Sequence, residues 1–318
     1  MDFSNDIPKV LKEFLIYIET IKGQSKNTVK EYFYDLRTFF RFLKIHYNLV
    51  DNNIDFNEIE ISDINPEILN KVTLSDLYEY MSFVNSRRSN SASSRARKVS
   101  SLRTFFKYLH KKVNLIKDDP TINLDSPKIG KRIPKYLDLD NSIQLLNAAD
   151  ENSRRDYCML TLLLNCGLRV SELIGINISD ITNDKLTVVG KGNKERTIYL
   201  NDACKAAIEK YLEVRPKDAV KDKNALFLNK NKCRIGPRGV QLIVKKYLQL
   251  AGIDINKYST HKLRHTAATL MYKHGKVDVL ALQQILGHTS LSTTQIYTHL
   301  DNEQLRNAIE SNPLSKEK

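Results

Sequence analysis

Apolar residues recur three and four positions apart along most of this chain, a spacing that predicts helices. Val10, Leu11, Phe14, Leu15 and Ile18 predict a first helix over residues 7–21. A second, capped at Asn27 and running through Leu43, carries Val29, Tyr32, Phe33, Leu36, Phe39, Phe40 and Leu43. A third is expected over residues 74–84, after an irregular stretch rich in Asn and Ile. Val99, Leu102, Phe106, Leu109 and Val113 then mark a helix that packs one face on a core. Residues 118–135, DDPTINLDSPKIGKRIPK, hold three prolines and no period, the signature of a linker. Further on, KLTVV and RTIYL flank the turn GKGNKE and predict a hairpin, with ALFL as a third candidate strand. The expected fold is mainly α with two domains: a helical N-terminal bundle over residues 1–117, a linker over 118–135, and a mixed α/β domain over 136–318, mostly helical with a small antiparallel sheet.

Composition narrows the class. The chain has 318 residues, 41% hydrophobic and 27% charged, which suits two globular domains with sizeable cores. The formal charge of +13 favours an anionic partner, without choosing between DNA, RNA and an anionic membrane. No apolar run approaches the roughly 18 residues a membrane span needs, and MDFSNDIPKV lacks the basic and apolar regions of a secretory signal. Cys158, Cys166, Cys204 and Cys233 form no CxxC pair, and the first two, in an apolar helical stretch, read as buried free thiols. A cytoplasmic location is expected.

The charge is unevenly placed. Residues 51–79 hold eight acids and one base, whereas residues 85–117 hold ten Lys or Arg and no acid. Arg95, Lys98, Arg103, Lys107 and Lys111 fall mostly off the apolar stripe of that segment and predict a phosphate-backbone contact.

The second half carries the candidate chemistry. Arg169, in LLNCGLRVSELIGI, follows a helix that Gly167 can cap and calls for a carboxylate or phosphate partner; Glu172 is placed to hold it. Lys191 sits in the hairpin turn between Gly190 and Gly192, able to reach a cleft and donate a proton to a departing oxygen, with Lys194 and Arg196 as neighbouring backbone-contact candidates. In STHKLRHTAATLMYKHG, Ser259 or Thr260 can cap a helix whose first turns place His261 and Arg264 on one face, where a phosphate also meets free amides. His261 and His265 have the spacing of a zinc pair, but the intervening glutamate is missing and Arg264 repels a cation, so no metal is expected. His288 follows DVLALQQILGH, with Asp278 and Gly287 at the helix ends, and Tyr297 lies nine residues on, in SLSTTQIYTHL. A phenol with a pKa near 10 is a poor nucleophile, and neighbouring cations favour its phenolate.

These stretches resemble the tyrosine recombinase (phage integrase) family, most closely its bacterial Xer-type members. CGLRVSELIGI, VVGKGNKERTIYL, THKLRHTAATLMYKHG, LQQILGHTSLSTTQIYTHL and SPKIGKRIPKYL match in the family's order, and SKNTVKEYFYDLRTFFRFL and SSRARKVSSLRTFFKYL match its N-terminal core-binding domain more weakly. The resemblance covers nearly the whole chain. It implies a core-binding domain followed by a catalytic domain, in which Arg169, Lys191, His261, Arg264, His288 and Tyr297 are catalytic and Glu172 supports them. One departure is the long acidic, Asn-rich stretch from Val50 to Asn70. It leaves open a single-protein or a two-protein system.

By that resemblance Tyr297 attacks a DNA phosphate, forms a 3′-phosphotyrosyl link and frees a 5′-hydroxyl, with no ATP, metal or other cofactor, because the covalent link keeps the bond energy. The implied partner is double-stranded DNA, bound by a homotetramer on two sites or together with a second recombinase, and the implied process is Xer-like chromosome dimer resolution. Mobile-element integration or DNA inversion, a type IB topoisomerase-like enzyme and a non-catalytic DNA-binding protein are the alternatives. An RNA-binding module has no aromatic RNP-like strand to support it.

Overall fold

The computed structural model describes residues 7–51, 53–130, 135–190, 195–275 and 277–287. Lys191, Lys194, His288 and Tyr297 lie outside the described residues. The chain divides into two compact units, Met1–Lys131 and Arg132–Lys318.

In the first unit, α1 (Lys9–Ile16) buries Val10, Leu11, Phe14 and Leu15 and runs on as a π-helical turn, Tyr17–Ile21. The cap of α2 (Lys26–His46) is Ser25 rather than Asn27: the Ser25 hydroxyl accepts the Thr28 amide at 3.2 Å, so Asn27 already lies in the first turn. Short α3 (Pro66–Asn70), α4 (Leu74–Ser86) and α5 (Ala92–Lys111) follow. Thr73 and Asp76 close a reciprocal capping box at the start of α4, each satisfying an amide the helix leaves open. Aromatic rings knit α1, α2, α4 and α5 together, with Phe14–Phe105 centroids 5.1 Å apart and Phe39–Tyr80 centroids 5.0 Å apart, both edge to face. Each such pair contributes about 0.5–1.5 kcal/mol beyond its buried area. Val113, expected on the packing stripe, lies past the end of α5 and is exposed.

The acidic stretch is docked. Ile59, Ile61, Ile64 and Leu69 are buried. Two bases of α2 hold its backbone and one acid: Arg41 donates to the Ile59 carbonyl at 3.0 Å, and Lys44 donates to the Glu60 carbonyl at 3.1 Å and to the Asp63 carboxylate at 2.8 Å. The first part of the expected linker is also part of this unit. Leu124 packs into its core, and Arg103 donates to the Leu124 carbonyl.

The second unit holds α6 (Leu139–Asp150), α7 (Arg154–Cys166), α8 (Val170–Gly175), β1 (Ile181–Thr182), β2 (Lys185–Val189), β3 (Glu195–Tyr199), α9 (Asp202–Val214), α10 (Pro237–Leu250), α11 (Thr260–Lys273) and α12 (Val279–Leu286). The sheet is antiparallel in the order β1-β2-β3, with Leu186 opposite Ile198 and Val188 opposite Arg196. The expected strand ALFL, Ala225–Leu228, is buried but makes only isolated bridges, and Ile181–Thr182 is the third strand instead. Two of its carbonyls are taken by a side chain: the Arg215 guanidinium donates to Leu226 at 3.1 Å and to Ala225 at 2.7 Å, and its remaining backbone bonds, such as Leu226 N–H to the Ile176 carbonyl at 2.9 Å, are too scattered to form a continuous ladder. Cys158, Cys166 and Cys204 are buried free thiols, and Cys233 is half-buried. Burial pushes the Cys158 thiol well above its usual pKa.

Candidate active site

Two glycines set the backbone of the site. Gly167 ends α7 in the left-handed region, at φ 59°, and a Cβ there would lie 2.8 Å from Leu286 Cδ2. Gly287 ends α12 in the same way, at φ 63°, and a Cβ there would lie 3.0 Å from Arg196 Cδ. Both positions therefore combine a conformation that side chains disfavour with close packing. Together they let the end of α12 approach the end of α7, against which α11 also packs.

Arg169 stands at the break, as the residue that precedes α8. Three residues on, in the first turn of α8, the Glu172 side chain is fully buried. Its carboxylate accepts from the Arg169 amide at 2.8 Å and from the Arg169 guanidinium at 2.8 Å. Arg196, on β3, reaches the same carboxylate with a fork, at 2.5 and 3.1 Å. Arg264, in the first turns of α11, places its guanidinium 3.8 Å from the second Glu172 oxygen. Burial works against the Glu172 charge, but the hydrogen bonds from Arg196 and Arg169 outweigh it and hold the carboxyl below its usual range.

The same three arginines meet three consecutive carbonyls at the end of α12. Arg196 donates to Ile285 at 3.2 Å, Arg264 to Leu286, and Arg169 to Gly287 at 3.2 Å. Arg264 also donates to the Gly167 carbonyl at 2.5 Å. Cations at the carbonyl end of a helix are favoured by its dipole. The residue that follows is His288, so this cluster anchors the chain just before the segment that bears Tyr297.

His261 lies one turn before Arg264 with much of its ring exposed. Partial burial, then the Arg264 and Arg169 charges, lower its pKa. The His265 ring meets it edge to face, with centroids 4.7 Å apart. Ser259 precedes α11 but makes no capping hydrogen bond with its side chain. Among the described residues no group of three His, Cys, Asp or Glu is arranged to hold a metal ion.

His265 is pulled down to about 4, first by burial and then by His261, Arg264 and Lys262. Its value in the unfolded chain is near 6.5, so the neutral ring contributes stability that is complete above pH 6.5 and is lost as pH falls toward 4. Urea midpoints are expected to drop between pH 7 and pH 5, and His265→Gln is expected to flatten part of that drop. An equal drop in the variant would show that another group sets it.

Two of the residues proposed to contact DNA point inward. Lys98 is buried and pairs with the buried Asp35 at 2.8 Å, a carboxylate shared with Arg97 at 2.8 Å and with the Ser101 hydroxyl at 2.8 Å. It lies four residues before Leu102 and seven before Phe105, on the packed face of α5, and that spacing was the signal for its burial. Arg196 shares the inward face of β3 with buried Ile198, two residues away, and alternation along the strand marks it in the same way. Arg95 is tied to the Asn85 side chain at 2.5 Å and the Asn90 carbonyl at 2.6 Å, at the turn before α5. Lys107 and Lys111 are exposed and line a groove of about 640 Å³ with Lys22, Arg103 and Lys112.

Residues 135–304, more than half of the chain, match the Phage integrase family. The chain belongs to the phage integrase family of tyrosine recombinases. Its activity is site-specific DNA recombination of the tyrosine-recombinase type. It is 56% identical over 311 residues to the tyrosine recombinase XerC of Caldanaerobacter subterraneus subsp. tengcongensis, covering 98% of this chain and 88% of that protein. It is 36% identical over 317 residues to the tyrosine recombinase XerD of Proteus mirabilis, covering 95% of this chain and 91% of that one. The structure of the XerH site-specific recombinase bound to palindromic difH substrate, a post-cleavage complex, aligns with a TM-score of 0.70 over 95% of this chain and 94% of that one; at 22% identity it speaks to the fold alone. No helix of the described residues is long and apolar enough to cross a membrane.

Proposed function

We propose that this chain cuts and rejoins duplex DNA through a 3′-phosphotyrosyl link on Tyr297, with Arg169 and Arg264 clamping the phosphate. The observation that carries this reading is the convergence of Arg169 and Arg264 on one buried carboxylate, at the end of the helix that leads to Tyr297. Two guanidinium forks suit the non-bridging oxygens, where charge grows in the transition state. His261, held below its usual pKa, is suited to accept the tyrosine proton. Lys191 protonates the leaving 5′ oxygen, and His288 donates a hydrogen bond to a phosphoryl oxygen. Glu172 holds Arg169. The freed 5′-hydroxyl of a partner strand then attacks the link and reseals it. The energy of the broken bond is kept in the phosphotyrosine, so the chemistry needs no ATP and no metal.

Residues 1–117, with the start of the 118–135 segment packed on them, serve as the core-binding domain, the rest of that segment as the connection and 136–318 as the catalytic domain. Lys107, Lys111 and Arg103 contact the phosphate backbone, and Arg95 and Lys194 are further backbone-contact residues. The partner is double-stranded DNA, held by a tetramer on two sites, composed of this chain alone or with a second recombinase. The similarity to XerC and XerD proteins supports chromosome dimer resolution in the cytoplasm over mobile-element integration or inversion.

The test is a nicked suicide duplex carrying the genomic binding site. The full chain is expected to form a covalent adduct on the 3′ phosphate, leave a free 5′-hydroxyl and yield recombinant product from two sites. Relaxation of supercoils with no recombinant product would favour a type IB topoisomerase-like enzyme.

A further inference from the structure

We propose that Arg196 is a positioning residue for recombination: it fixes Glu172 and the end of α12, and through Glu172 it orients Arg169. This rests on the reading of Arg169 as a phosphate clamp. Sequence alone places Arg196 beside the hairpin turn as a DNA-backbone contact, but its side chain is only 14% exposed and turned toward the interior. Its guanidinium makes three contacts at once. Two nitrogens hold the two Glu172 oxygens at 2.5 and 3.1 Å, and Nε holds the Ile285 carbonyl at 3.2 Å. Its aliphatic stem lies against Gly287, where any Cβ would crowd Arg196 Cδ.

Three consequences follow from this geometry. First, a carboxylate with no exposed surface stays charged only when paired, and Arg196 supplies the fork that does so. Second, three guanidinium groups lie within 3.8 Å of this single carboxylate, so the four side chains together carry net positive charge. Third, Arg196 belongs to the strand that follows the turn bearing Lys191, Glu172 to the helix that follows Arg169, and Ile285 to the helix that precedes His288. One side chain thereby joins three segments that each lead to a proposed catalytic residue. Lysine cannot substitute, because a single ammonium on a flexible stem does not present a planar fork to two oxygens while its stem donates to a third.

The experiment uses the full chain on the suicide duplex, measuring DNA affinity and the single-turnover cleavage rate at saturating DNA. Arg196→Met is expected to slow cleavage roughly 10–100-fold, by analogy with losing the outer hydrogen-bond partner of a metal ligand, with DNA affinity unchanged within about 2-fold. Beyond the rise that the His261 base gives both proteins at low pH, the variant's rate should show a second rise at higher pH, because a buried Glu172 without its fork ionises only there; the parent should lack this second rise. Arg196→Lys is expected to lose about 10-fold in rate at unchanged affinity, and this milder variant carries the test if the methionine variant does not fold. Weakened binding, with a salt slope reduced by about one and no change in the saturated rate, would identify Arg196 as a phosphate contact and overturn the proposal. Unchanged rate and affinity would overturn it as well. Failure of the parent chain itself to form an adduct would instead remove the phosphotyrosine reading on which the proposal rests.

Discussion

Tyr297→Phe is expected to abolish the covalent protein–DNA adduct while leaving duplex binding intact. The substitution removes one oxygen and keeps the ring. If that oxygen is the nucleophile, no other group can form the 3′-phosphotyrosyl link, and adduct formation should fall at least about 10³-fold, as when a member of a catalytic unit is deleted. Binding draws on cations spread over the chain, whose net charge of +13 is untouched. Trapping on the suicide duplex, with affinity measured in parallel, checks both halves. A phenylalanine variant that still formed the adduct would place the nucleophile elsewhere.

Glu172→Gln is expected to cost both stability and rate. Glu172 is fully buried and receives hydrogen bonds from Arg169 and Arg196, with Arg264 3.8 Å away. Glutamine keeps the shape but not the charge, so the guanidinium groups lose their counter-ion inside the protein. Removing one partner of a buried ion pair costs about 3–5 kcal/mol, and the half-exposed position of Arg169 places the expected loss at the lower end of that range. The cleavage rate should fall roughly 10–100-fold as Arg169 loses its anchor. The Glu172 carboxyl lies below its unfolded value of 4.5, so its contribution is complete above pH 4.5 and declines as pH falls further. At neutral pH the parent and the variant should therefore differ in urea midpoint by the full amount, and should converge in acid. Equal midpoints at pH 7 would mean that the arginine cluster does not depend on this carboxylate.

Much of this arrangement is legible in the chain because local rules and tertiary structure agree. Gly167 and Gly287 read as helix ends, and both take the left-handed conformation. Glu172 reads as the partner of Arg169, three residues away on a short helix, and the two are paired. The hairpin of KLTVV and RTIYL reads from the two runs flanking the turn GKGNKE, and β2 and β3 pair as antiparallel neighbours. At other positions two local signals conflict. Charge suggested an outward Lys98 and Arg196, whereas period placed each on a packed face, and burial followed period once a carboxylate, Asp35 or Glu172, was at hand. A third group has no local signal. Arg215 takes the Ala225 and Leu226 carbonyls in the segment expected as a strand, and Arg41 and Lys44 take those that dock the acidic stretch. The convergence of Arg196, Arg264 and Arg169 on the carbonyls of residues 285–287 belongs to the same group, since its partners lie 89, 22 and 118 residues apart.

The most direct measurement is a structure of the full chain trapped on its suicide duplex. Phosphorus bonded to the Tyr297 oxygen, with non-bridging oxygens about 2.7–2.9 Å from nitrogens of both Arg169 and Arg264, is the predicted result. A phosphate joined to any other residue, or held out of reach of both guanidinium groups, would contradict it.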